Sequence, residues 1–128
     1  MFGRIKRRKS DIIYSQYRRK LKKYRCEICG KVHDPTSKNL GVSHFWPRNH
    51  ESTRFDDENC DVLCNIPCHE FFESHRTEYK AWKLKCLGRK NYDLLELKKN
   101  QYKKRDDYID LLIAKELLKY LLNEREKT

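Results

Sequence analysis

Apolar residues recur at helical spacing at both ends of this chain, while its middle breaks into short runs between turn formers. Near the N-terminus, Ile13, Tyr17, Leu21 and Tyr24 share one stripe of a predicted helix over 11–24, with Ser10 as its cap and Arg and Lys opposite. Residues 34–41 (DPTSKNLG) and the polar 48–58 read as loops. Between and after them, 42–46 and 60–63 are short strands, the first stopped by Pro47. A helix starts near Pro67 and carries His69, Phe72 and Glu73. Three more segments are helical: 77–87 ending at Gly88, 91–102 capped by Asn91, and a last helix from Asp106 or Asp107 through Leu122. That helix aligns Ile109, Leu112, Ile113, Leu117, Tyr120 and Leu121, a stripe that suits a core or a homodimer seam. The fold class expected is α+β, mostly helical.

Charge changes the picture at one end only. The 128 residues carry a net charge of +11. Residues 1–25 hold eleven Lys or Arg and one acid, Asp11, so nearly all the excess lies there. This basic N-terminal arm and helix, including Arg7, Arg8, Arg18, Arg19, Lys22 and Lys23, suits a polyanion such as DNA. No run is long and apolar enough to span a bilayer, and MFGRIKRRKS lacks a signal core, so a cytoplasmic protein with no membrane partner is expected.

Six cysteines in a reduced compartment favour metal over disulfides, and a chain short of apolar residues gains from such a staple. Cys26 and Cys29 (CEIC, then Gly30) form one pair; Cys64 and Cys68 form the other. Two close pairs far apart in sequence are the donor set of a tetrahedral structural zinc. Cys60 and Cys86 are left over and read as buried thiols, and His33 is a substitute ligand.

Between the pairs lie His44, Asn59 and, directly after Cys68, His69. With GVSHFWPR at 41–48 and NCDVLCNIPCHEFFE at 59–73, this order resembles the HNH endonucleases: a His ending one strand, an Asn opening the next, then Leu-Cys and Cys-His. The text is most similar to phage recombination endonucleases of the NinG (Rap) type. The resemblance implies a zinc-stapled ββα-metal core over 26–75; outside it, the arm at 1–25 and a helical extension at 76–128 are expected to complete one compact domain. It implies that His44 is the general base, that His69 holds a catalytic Mg²⁺ or Mn²⁺, and that Asn59 orients the His44 loop or joins the metal shell. Arg48 and Arg54 would hold flanking phosphates. Branched or nicked DNA would be the substrate, and a host-cell cytoplasm the setting.

One departure matters. Many members have Asp directly before the catalytic His, where this chain has Ser43. Glu73, four residues after His69 and on the same helical face, is the replacement ligand expected; His75 lies too far round. A non-catalytic zinc module that binds nucleic acid is the alternative, since it needs the cysteines and the arm but not the histidines.

Overall fold

The computed structural model describes residues 7–126. Its centre is a two-stranded antiparallel sheet, β1 (Leu40–His44) and β2 (Cys60–Cys64), with Leu40 opposite Cys64 and His44 opposite Cys60. β1 starts and stops two residues earlier than the sequence predicts. It stops because Asn59, which precedes β2, takes over the pairing. The Asn59 carboxamide accepts from the Trp46 N–H at 2.8 Å and donates to the Trp46 carbonyl at 3.0 Å, so the chain turns away there.

All five residues of β2 are buried, because both faces of the sheet are covered. Alternation puts Val42, His44 and Cys60 on one face, and Ser43, Asp61 and Leu63 on the other. On the first face lie α1 (Lys9–Leu21) and α5 (Asp107–Glu126), which pack along each other through Tyr14, Tyr17, Ala114, Leu117 and Leu121. The second face meets α2 (Glu70–Ser74), α3 (Arg76–Leu87) and α4 (Arg89–Lys99) around Phe45, Phe72, Tyr79, Tyr92 and Leu95. Asp61 is buried there with Lys83 at 2.7 Å and the Tyr79 hydroxyl at 2.7 Å, so its charge is paired and hydrogen-bonded.

Several element boundaries differ from expectation for local reasons. Arg8, not Ser10, opens α1, its N–H donating to the Asp11 carboxylate at 2.7 Å. α1 ends at Leu21 because Lys23 and Tyr24 take left-handed φ values of 55° and 58°, turning the chain toward Cys26. Its buried face is Ser10, Asp11, Tyr14, Ser15, Tyr17 and Arg18, more polar than the predicted stripe, and Leu21 is exposed. Gly88, at φ 81°, ends α3 and starts α4 at once, so α4 begins before Asn91 and stops at Lys99. In α5 the inward register is set by Asp110 and Ala114, which leaves Ile109, Leu112, Ile113 and Tyr120 exposed. Cys86, expected to be buried, is exposed. Among the described residues no helix is long and apolar enough to cross a membrane.

Candidate active site and metal centre

The Cys26–Cys29 turn is locked before any metal is considered. Cys26 N–H donates to the Lys31 carbonyl at 3.0 Å, Gly30 N–H returns to the Cys26 carbonyl at 3.0 Å, and Gly30 takes φ 75°. Glu27 then docks the turn on β2: its N–H donates to the Val62 carbonyl at 2.8 Å, and its carboxylate accepts from Val62 N–H at 2.6 Å. Cys64, at the end of β2, and Cys68, in the turn before α2, come to the same point. The four Sγ atoms of Cys26, Cys29, Cys64 and Cys68 lie within 4.8 Å of one another, with Cys29 and Cys64 at 3.9 Å. A zinc tetrahedron with bonds of about 2.3 Å needs sulfurs about 3.8 Å apart. The donor set therefore fits a zinc ion.

Thiol electrostatics agree with this. Against the desolvation of burial, backbone N–H groups from Cys29, Cys64 and Ile28 hold the Cys26 thiol down to about 7. Burial and the neighbouring thiols push Cys64 and Cys68 up. So the fold alone favours the Cys26 thiolate, and a bound cation would favour ionising Cys64 and Cys68. His33 is buried but stands outside the four-sulfur cluster. Cys60 is separate too, its thiol facing the Arg54 carbonyl at 3.4 Å and its ionisation suppressed by burial.

His44 ends β1 facing α1. Its Nε2 lies 2.9 Å from the Arg54 carbonyl, which can only accept, so Nε2 carries the proton and Nδ1 keeps its lone pair. Burial, and next the Arg48 charge, push the His44 pKa down to about 4. The ring is thus a neutral base at pH 7. Arg54 is itself clamped: its guanidinium holds Asp11 at 3.0 and 2.5 Å, Glu51 at 3.2 Å and the Arg48 carbonyl at 3.2 Å.

Asn59 braces the same loop. Besides its two bonds to Trp46, its Nδ2 donates to the Thr53 carbonyl at 3.0 Å, and it is fully buried. Both donors and its oxygen are bonded to backbone, which ties residue 46 to the 53–59 loop. Ser43 points to the opposite sheet face, its hydroxyl 2.9 Å from that of Tyr79. His69 is partly exposed at the start of α2, with Nε2 3.9 Å from the Glu73 carboxylate. His75 stacks on Phe71 and turns its Nδ1 to the Phe71 carbonyl at 2.9 Å, away from this pair.

Two clefts flank the histidines. A narrow one of about 430 Å³ runs between α1 and β1; a wide one of about 1060 Å³ opens toward α2 and α3. Val42, His44, Arg48, Asn65 and His69 line both, so the histidines sit where the clefts meet. The wide cleft adds two cations that sequence reasoning missed. Lys99 Nζ is 3.9 Å above the Trp46 ring, Arg76 is 4.3 Å above Phe45, and His50 stands alongside. The narrow cleft adds Lys38. Arg76 and Lys38 lie close to the motif in sequence, which was the one signal available.

The arginines expected on DNA divide. Arg7, Arg19 and Arg48 line the narrow cleft. Arg8, Arg18 and Arg54 do not present their charge outward, and this corrects the expectation of phosphate contact. Arg8 holds Asp107 at 2.6 Å and Glu51 at 2.9 Å; Arg18 donates to the Cys60 carbonyl at 2.8 Å; all three are under 8% exposed. Lys22 pairs with Glu27 at 3.4 Å, and Lys23 is exposed.

No family model, curated protein or solved structure matches the chain.

Proposed function

We propose that this protein is a metal-dependent DNA endonuclease of the HNH type, with β1, β2 and α2 as its core and a structural zinc on the four cysteines. The observation that carries the reading is the meeting of His44, His69 and Arg48 at the junction of two cation-lined clefts. Nδ1 of His44 takes the proton from the attacking water, while the Arg54 carbonyl holds the imidazolium that forms. His69 and Glu73 would hold Mg²⁺ or Mn²⁺, an ion that keeps most of its waters and so tolerates few protein ligands. Bound there, such an ion supplies Lewis-acid stabilisation of the phosphorane and of the departing oxygen. Arg48 neutralises a neighbouring phosphate, and Asn59 keeps the loop that positions the base. Branched or nicked DNA is the substrate to which the family resemblance points.

One observation favours the alternative, a non-catalytic zinc module. With Ser43 turned to Tyr79 and Asn59 bonded to backbone, the one ion pair His69 makes among the described residues is with the exposed Glu73, at 3.9 Å. Supercoiled-plasmid nicking separates the two. Nicking that requires Mg²⁺ or Mn²⁺ and falls about 100-fold or more in His44→Ala, with zinc content and melting unchanged, supports the endonuclease. DNA binding without cleavage of plasmid or branched DNA under either metal leaves the binding module.

A further inference from the structure

The narrow cleft contains more positive charge than its own acids answer. Arg7 reaches it from the segment just before α1, Arg19 from α1, Lys38 from the loop before β1, and Arg48 from the loop after it. Among the described residues no ion pair joins Arg7, Arg19 or Lys38 to a carboxylate, and Arg19 has only a local bond from Nε to the Ser15 carbonyl at 3.2 Å. Arg48 Nε is buried without a hydrogen-bond partner, 4.0 Å from Asp11. That carboxylate is the one acid lining the cleft, and Arg54 already holds it at 2.5 Å. Four cations thus surround one neutralised acid.

Such crowding costs the free protein. Burial, and next the charge of Arg7, lower the pKa of Arg19 from its ordinary value. Evenly spaced surface cations would disperse into water; these converge on a concave site that opens directly on His44 and His69. A bound anion would relieve the repulsion, and the N–H donors of four cationic side chains suit a phosphate group.

We infer that the narrow cleft is a phosphate seat, formed by Arg7, Arg19, Lys38 and Arg48, for a backbone phosphate of a DNA strand. It rests on the endonuclease reading in one respect: the phosphate seated is then the neighbour of the one beside His44 and His69. The strand crosses from the narrow cleft, over the histidines, into the wide one.

The test is binding of a fluorescein-labelled DNA 12-mer without a terminal phosphate, with no divalent cation added, across a salt series. The variant Arg19→Gln/Lys38→Gln is compared with Lys85→Gln/Arg89→Gln, which loses the same charge outside both clefts. We expect the cleft variant to bind roughly tenfold more weakly, with a salt slope lower by about two, and the control to lose much less. Equal weakening in cleft variant and control would reduce the seat to net charge and overturn it. Binding that requires a 5′-phosphate on the strand would overturn the assignment to a backbone diester. Selective loss in the cleft variant from a protein that cleaves nothing would sink the endonuclease and leave the seat standing.

Discussion

Arg7 and Arg8, or Arg18 and Arg19, are neighbours in the chain with opposite fates. Arg8 and Arg18 turn inward, each under 8% exposed, and tie α1 to α5, to the 51–57 loop and to β2. Arg7 and Arg19 turn to the narrow cleft and meet no acid among the described residues. Arg54 and Arg48 repeat the division, the first clamped by Asp11 and Glu51, the second facing both clefts. A basic arm is therefore two populations: one holds the fold together, the other is left for a ligand. Desolvating a guanidinium is costly unless it is paired, so the inward set must be matched by Asp11, Glu51, Asp57, Asp107 and Asp110.

Removing the metal would break the comparison outright. The cysteine cluster pins residues 26–29 to β2 and α2, and structural zinc contributes about 10–16 kcal/mol to folding in small zinc domains. Chelation should unfold the protein cooperatively, followed by circular dichroism, with about one zinc released; a chelated protein that melts unchanged would remove the cluster from the account. Next in size is the inward set itself. Arg54→Ala leaves Asp11 buried without its guanidinium and should cost about 3–5 kcal/mol in urea denaturation. Asp11→Asn should cost less, about 1–3 kcal/mol, yet slow nicking further than stability explains, because Arg54 then drifts and its carbonyl no longer fixes the His44 tautomer. Nitrogen NMR of His44 reads that tautomer directly.

Acidity should sharpen the contrast. Against the burial that would raise it, the Arg54 and Arg8 bonds hold Asp11 below the ordinary carboxylate value, so its contribution is present above that value and lost as pH falls from there through its lower folded one. His44, at about 4 when folded against 6.5 ordinarily, takes a proton first in the unfolded chain. Stability should therefore fall as pH drops from 6.5 toward 4, and His44→Gln should flatten that interval. The acid limb of nicking should likewise lie near 4, well below that of an ordinary histidine. Outward substitutions should be the mildest for stability: Arg7→Gln should change it by less than about 0.5 kcal/mol.

Much of the frame was legible. Cysteine spacing brought two pairs together because tetrahedral metal geometry is strict, and both short strands lay within two residues of where turn formers placed them. The helices followed from apolar spacing and the two strands from the turn formers around them, which together gave the mostly helical α+β class. What was not legible depended on pairing across the fold. Nothing local distinguishes Arg18 from Arg19; the difference is the Cys60 carbonyl, forty-two positions away. The α1 stripe was misjudged for the same reason, since its buried face carries Asp11 and Arg18 instead of Leu21. The three backbone bonds of Asn59 to Trp46 and Thr53 likewise depend on a loop closure that the sequence does not display. Lys38 and Arg76 carry no motif and became visible once the clefts had walls.

Arg18→Gln and Arg19→Gln, measured side by side for thermal unfolding and for binding of a DNA strand at a temperature where both are folded, test the division most directly. Arg18→Gln should melt several degrees lower and bind as before, while Arg19→Gln should melt unchanged and bind several-fold more weakly. Equal effects of the two substitutions on both readouts would contradict the account.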